Sequence, residues 1–187
     1  AQEDTQHESE VKPEVLGEKI CEALRSENQD TRSGVIAAFA QIAEGAPEAV
    51  TPVIPILEQL LDEVSWTVRT QILSTVVAVA KTEAEQLPEE LINKIQHLRD
   101  RATTDVSEGY EPNREFLAKC LDLYTTLGDR QGEAKCLNNL GIVARSEGDY
   151  ETARGCYQDS LEIFRELGNR QGVANSLGNL GIVARSQ

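Results

Sequence analysis

The side chains best suited to acid–base, nucleophilic or metal chemistry are few and widely separated in this sequence of 187 residues. His7 and His97 are its two histidines, and neither has a set of Cys, Asp or Glu at ligand spacing beside it. The four cysteines show no Cys-x-x-Cys spacing, and the motifs of nucleotide-binding and hydrolytic enzymes are absent. The sequence therefore predicts that the protein is not an enzyme and holds no metal and no cofactor.

Residues suited to binding, by contrast, recur at a regular spacing. Asn138, Ile142 and Arg145 are spaced i, i+4, i+7, so a helix places them on one face. Asparagine amides can bind an extended peptide backbone, and arginine offers a planar pair of donors to a carboxylate. Asn139 lies beside this face, and part of the pattern recurs about forty residues later. The candidate binding residues are therefore Asn138, Asn139, Ile142, Arg145, Asn179, Ile182 and Arg185.

The elements that must position these residues belong to an internal repeat. Residues 127–147 recur at 167–187, with 15 of the 21 positions unchanged. A period of this length is typical of a solenoid, in which each unit buries its apolar face only against its neighbours. Because solenoids present long surfaces to partners, the repeat favours binding over catalysis.

Helical periodicity runs through most of the chain. Residues 1–13 are polar and lack this periodicity, which predicts a disordered acidic tail. From residue 14, apolar residues recur at helical spacing between short polar or Gly/Pro breaks. The segment 65–82 is rich in β-branched residues, as strands are, but its length and spacing favour a helix. Helices are predicted at 15–24, 30–44, 52–64, 65–82, 88–101 and 110–127. The inward residues of the second are Val35, Ile36, Phe39, Ile42 and Ala43.

A second period is present in the first half of the chain. Arg32 and Arg69 lie 37 residues apart, and each directly precedes an apolar helix. Another apolar helix lies upstream of each arginine, which makes two helix pairs. This pattern resembles HEAT repeats over residues 14–105, and the resemblance implies a helical array there.

The second half carries a more specific pattern. It contains a Leu-Gly pair, a Gly-Asp-Tyr turn, and then small, aromatic and leucine positions. These residues are Leu140, Gly141, Gly148, Asp149, Tyr150, Ala153, Tyr157 and Leu161. Together they resemble the tetratricopeptide repeat, in its subgroup of about forty residues, over residues 110–187. Gly141 and Ala153 fit as small residues that let paired helices approach closely.

The second resemblance implies a role for the candidate residues. In tetratricopeptide repeats the first helix of each unit lines a concave groove, so the candidates are implied to contact a peptide there. We expect an acidic peptide, or one that ends in a carboxylate, to bind Arg145 and Arg185. A structural role stays open: Asn139 and Asn179 would satisfy helix ends, and the two arginines would pair with acidic groups of adjacent units.

Acidic charge is concentrated in the first part of the chain. The net charge is −14, and residues 1–110 carry 21 acidic but only 9 basic side chains. Such a surface repels phosphate backbones and anionic lipid, which argues against nucleic-acid and membrane partners. The first ten residues are polar throughout and no apolar stretch reaches 18 residues, so no signal peptide and a cytoplasmic location are predicted. Arginine outnumbers lysine 12 to 6, which fits either a salt-adapted protein or an ordinary acidic scaffold.

The sequence thus predicts an all-α fold, a right-handed α-solenoid. HEAT-like helix pairs at 14–105 are followed by tetratricopeptide repeats at 106–187, the last of them incomplete. The predicted function is a scaffold or adaptor that binds a protein or peptide. The alternative is a sensor or regulatory arm of a larger signalling or transcription-control protein. The last helix has no second helix after it, so either the chain is cut within a longer array or a second molecule packs there, and self-association through this helix is expected in the second case. Its apolar residues are Leu177, Leu180, Ile182 and Val183.

Overall fold

The structure is a computed structural model that describes residues 22–24, 26, 28–62 and 64–186. Its α-helices are α1 (Gln29–Gly45), α2 (Ile54–Leu60), α3 (Trp66–Glu83), α4 (Glu89–Arg101), α5 (Tyr110–Leu127), α6 (Arg130–Ser146), α7 (Tyr150–Glu166) and α8 (Arg170–Arg185). Short 3-10 helices lie at Pro47–Ala49, Thr51–Val53 and Ala84–Gln86. The tail expected at 1–13 and most of the helix expected at 15–24 lie outside the described residues.

All regular structure in the described part of the chain is helical, which confirms the all-α prediction. The β-branched segment is the helix α3, and it begins after Ser65, whose hydroxyl accepts a hydrogen bond from the Val68 N–H at 3.3 Å. Val68, Ile72 and Val76 are buried along one side of this helix. The helical spacing of these residues therefore outweighs their preference for strands.

The helix predicted at 52–64 is shorter than expected. A 3-10 turn covers residues 51–53, and α2 begins at Ile54 with Pro55 in its first turn. Arg69 explains where α2 ends, because its Nε donates to the backbone carbonyl of Leu61 at 2.8 Å. In a longer helix that carbonyl would accept from the N–H four residues on, so the arginine replaces a helical hydrogen bond.

The helices are arranged in rows, as in an α-solenoid. In what we call the first row, α2, α4, α6 and α8 contact one another in succession. On the other side α1 packs on α3 and α3 packs on α5, while α7 packs against both α6 and α8. Consecutive helices from α5 to α8 also pack against one another, and the arrangement confirms the α-solenoid.

One hydrophobic core runs from α1 into α6. The rings of Trp66 on α3 and Phe116 on α5 meet edge to face, with centroids 5.1 Å apart. Both carboxylate oxygens of Glu108 accept from the Trp66 N–H, at 3.1 and 3.2 Å, so the loop before α5 caps α3. The core is therefore continuous past residue 105, and the division into two domains there stays a prediction.

One predicted core position in α1 is wrong. Ile42 is 45% exposed, whereas Ile36, Phe39 and Ala43 are buried. At 100° per residue, Ile42 lies about 120° around the helix axis from Ile36, outside the stripe that these three residues form. Ile42 is apolar and close to the helical spacing of the stripe, but it lies too far around the helix axis to pack against α3.

The turns between the last four helices repeat every 20 residues. Gly128, Gly148 and Gly168 have φ values of 69°, 83° and 65°, which glycine adopts without strain. The side chain of the next residue then caps the following helix by accepting a backbone N–H. These bonds run from Gly132 to Asp129 at 2.9 Å, from Thr152 to Asp149 at 3.0 Å and from Gly172 to Asn169 at 2.9 Å.

Candidate functional site

A cleft of about 380 Å³ opens on the first row, between the end of α4 and the faces of α6 and α8. Its lining residues are Asp100, Gln131, Lys135, Asn138, Asn139, Phe164, Asn169, Gln171, Gly172 and Asn175. Six of these ten carry a side-chain amide, which can donate and accept hydrogen bonds at once. The cleft also contains the carboxylate of Asp100 and the ammonium group of Lys135, so it is polar and its net charge is close to zero.

The structure places the predicted residues in and beside this cleft. Asn138 and Asn139 line it. Ile142 and Arg145 lie on the same face of α6 as Asn138, one and two turns farther along and outside the cleft. The matching residues of α8 are both exposed, and they are Ile182 and Arg185.

Asparagine side chains link the helices of the first row. The Asn139 amide nitrogen donates to the backbone carbonyl of Arg99 on α4 at 3.0 Å. Forty residues later, the Asn179 amide nitrogen donates to the side-chain oxygen of Asn138 on α6, also at 3.0 Å. The Arg99 carbonyl lies in the last turn of α4, so Asn139 satisfies a helix end, as the structural role predicted, whereas Asn179 bonds to a side chain instead. Each reaches back to the preceding helix of the row and sets the spacing between them.

We expect Asn138 and Asn179 to be energetically coupled. A neutral hydrogen bond contributes about 0.5–1.5 kcal/mol, so a double-mutant cycle of Asn138→Ala and Asn179→Ala should give a coupling energy in that range. Urea unfolding of the four proteins measures it. Gln158→Ala on the exposed side of α7 serves as the control partner for Asn138→Ala. A coupling energy no larger than that of the control pair would contradict the bond.

The two arginines of the candidate set lie outside the ion pairs that the described residues form. Among the residues that the structure describes, neither Arg145 nor Arg185 forms one, which counts against their pairing with adjacent units. Burial raises the pKa of the Tyr157 phenol, and the nearby charge of Arg145 opposes that rise. By contrast, Arg130 at the start of α6 bonds to Glu166 at the end of α7 at 3.0 Å.

Sequence reasoning missed most of the cleft. Gln131 and Lys135 precede Asn138 by seven and three residues, so they continue its helical face toward the start of α6. Gln171 and Asn175 occupy the same positions in α8, and the glutamine is unchanged between the repeats. Extending the i, i+4, i+7 pattern in the other direction would have found these four residues.

Other kinds of chemistry have little support in the described residues. There, no three or more His, Cys, Asp and Glu side chains are grouped to hold a metal ion. Cys120 and Cys136 are buried free thiols, and burial raises the pKa of Cys120 well above its ordinary value. Cys21 lies outside the described residues. No helix in the described part is long and apolar enough to span a membrane.

Comparison with known proteins finds a match to a repeat family in the second half of the chain. A family model described as tetratricopeptide repeat matches residues 114–166 and, in a second match, 141–187. No curated protein sequence matches the chain significantly. Three crystal structures of engineered proteins are 14%, 15% and 16% identical over 87%, 89% and 87% of this chain, with TM-scores of 0.43, 0.43 and 0.44. The chain spans 57% of the length of the first of these structures, and 96% and 97% of the other two.

Proposed function

We propose that this chain is a non-catalytic scaffold that binds a peptide segment of another protein in the cleft of the first row, because a tetratricopeptide-repeat model matches residues 114–187. Tetratricopeptide repeats generally mediate protein–protein interaction and are typically non-catalytic. The observation that carries the proposal is the concentration of amide side chains in a cleft between consecutive first-row helices.

Amide side chains suit the backbone of an extended peptide. Each peptide unit presents an N–H and a C=O that lose water on binding and need new partners. The amides of Gln131, Gln171 and Asn175 reach the cleft from two helices and can supply both kinds of partner. A volume of about 380 Å³ lies within the range of binding pockets and holds a short stretch of chain.

Positive charge favours an acidic peptide or a terminal carboxylate. Lys135 lies in the cleft, and Arg145 and Arg185 stand beyond it on the same faces of α6 and α8. Since neither arginine is committed to an ion pair among the described residues, both can bind a carboxylate without first giving up a partner. The net charge of the whole chain is −14. An acidic ligand would therefore be attracted by these three basic side chains and repelled by the rest of the surface.

We expect Arg145→Ala to weaken binding of such a peptide about tenfold. This corresponds to the loss of one charge-assisted hydrogen bond, about 1.5 kcal/mol. The ligand is a peptide selected on the protein from a random library, and titration calorimetry measures its affinity. Arg165→Ala is the matched control, because Arg165 is an exposed arginine on α7 outside the first row.

The same experiment tests the cleft itself. Gln171→Ala and Asn175→Ala should each weaken the selected peptide, whereas Gln158→Ala on α7 should not. Equal losses for Arg145→Ala and Arg165→Ala, or a library that returns only basic or apolar peptides, would remove the arginines from the site. Binding that is insensitive to both cleft variants would place the site elsewhere on the protein.

A further inference from the structure

The residue that caps α8 differs in charge from the caps of the two helices before it. Asp129 caps α6, Asp149 caps α7 and Asn169 caps α8, each by accepting a backbone N–H through a side-chain oxygen. Of these three residues, only Asn169 lines the cleft of the first row. The cap that belongs to the cleft is thus the one without a carboxylate.

Helix stability does not explain the asparagine. Asparagine and aspartate cap helices about equally well, and the charge of an aspartate also interacts favourably with the helix dipole. At the equivalent turn, hydrogen bonds from Thr152 hold the pKa of the Asp149 carboxyl below its ordinary value, so that cap is ionised at neutral pH. An aspartate at position 169 would therefore cap α8 at least as well, and what the neutral amide changes is the cleft.

The cap bond fixes the orientation of the Asn169 amide. Because the N–H of Gly172 is a donor, the atom that it contacts at 2.9 Å is the side-chain oxygen of Asn169. The amide nitrogen keeps two N–H donors, and within the described part of the chain no acceptor bonds to it. Asn169 therefore adds a hydrogen-bond donor to the lining of the cleft, where an aspartate would add a charged acceptor.

The other charges of the cleft favour a carboxylate as the group that this donor meets. Asp100 is compensated, because one of its oxygens accepts from the Nε of the buried Arg99 at 3.0 Å. Lys135 forms no ion pair with any described residue, so its ammonium group is the charge left without a partner. An aspartate at position 169 would oppose this positive charge and repel an acidic ligand.

We propose that Asn169 determines the specificity of the cleft for an acidic peptide. Its amide nitrogen donates to a carboxylate of the bound peptide at the α8 side of the cleft, and the charge of Lys135 attracts the same group. This role rests on the proposed function and adds to it a place where the acidic group binds. An acidic side chain and a peptide C-terminus present the same carboxylate, and the experiment distinguishes them.

Asn169→Asp is the test variant, because it keeps the capping oxygen and replaces the donor by a negative charge. Titration calorimetry on the whole chain measures the affinity for the peptide selected from the random library. We expect binding at least about tenfold weaker than to the parent protein. Gln158→Glu adds the same charge on the exposed side of α7, so it is the matched control and should change the affinity less than about twofold. The melting temperature of Asn169→Asp should equal or exceed that of the parent, which would exclude damage to α8.

Amide versions of the peptide identify the carboxylate that Asn169 contacts. One version has an amidated C-terminus, and each of the others has a single Glu or Asp replaced by Gln or Asn. The version that lacks the contacted carboxylate should bind the parent protein more weakly. Asn169→Asp should change the affinity for that version less than about threefold, because the repulsion and the lost bond need the same carboxylate.

Two results would overturn this role of Asn169 and leave the proposed function standing. The first is a peptide that Gln171→Ala and Asn175→Ala weaken but that binds Asn169→Asp as tightly as the parent or more tightly. The second is an equal loss for Asn169→Asp with every amide version, which would show that no single carboxylate lies at position 169. A peptide insensitive to Gln171→Ala and Asn175→Ala would contradict the proposed function as well, since it would not lie in the cleft.

Discussion

Tyr157→Ala is expected to lower the free energy of unfolding by about 3–5 kcal/mol. The tyrosine is fully buried, and its ring fills the space against Gly141 where α6 and α7 approach. It also forms a small core with Ala144, Ala153 and Val183, which joins α6, α7 and α8. Removing the ring would leave a cavity at the junction of three helices. Urea unfolding followed by far-ultraviolet circular dichroism measures the loss.

Tyr157→Phe is the control that separates the ring from its hydroxyl. The Tyr157 hydroxyl is buried without a hydrogen-bond partner among the described residues. Because a buried polar group without a partner stabilises nothing, the phenylalanine variant should unfold within about 0.5 kcal/mol of the parent or be more stable. If phenylalanine cost as much as alanine, the hydroxyl would have an undetected partner and the packing account would be wrong.

Gly141→Ala and Gly181→Ala are expected to change stability in opposite directions, although they are the same substitution at equivalent positions. At Gly141 the new Cβ would lie 2.6 Å from the Tyr157 ring, and overpacking of this kind costs about 1–3 kcal/mol. At Gly181 the atom nearest to the new Cβ would be Arg185 Nη1 at 3.7 Å, an ordinary van der Waals distance. Alanine is there a better helix former than glycine, so stability should rise by up to about 1 kcal/mol.

The same urea titration compares the two variants with the parent protein. Gly178→Ala, which also lies in α8, should behave like Gly181→Ala in the absence of a partner. A loss of stability in Gly181→Ala would show that another part of the chain covers this face of α8. A gain in Gly141→Ala would show that α6 and α7 are farther apart than the Tyr157 contact requires.

The sequence by itself determined the helices and the turns of the repeat region. At the three turns, a glycine that adopts positive φ and a following Asp or Asn cap act within four residues of each other, so their effect is local. The close approach of α6 and α7 could also be predicted from Gly141 and Ala153. Helical spacing identified the buried stripe of α3 for the same reason, because the helix alone sets which side chains share a face.

The neighbours of each face were decided only by the tertiary structure. Spacing gives the direction in which a side chain leaves its helix but not what lies there. Asn139 therefore fitted a helix end or a groove equally well, until its amide was found to donate to the Arg99 carbonyl in the last turn of the preceding first-row helix. Asp100 and Asn169 join the cleft because the end of α4 and the turn before α8 meet α6, a contact between segments far apart in sequence. On α8, Val183 is buried and Leu177 is exposed, because α7 covers only one side of this helix.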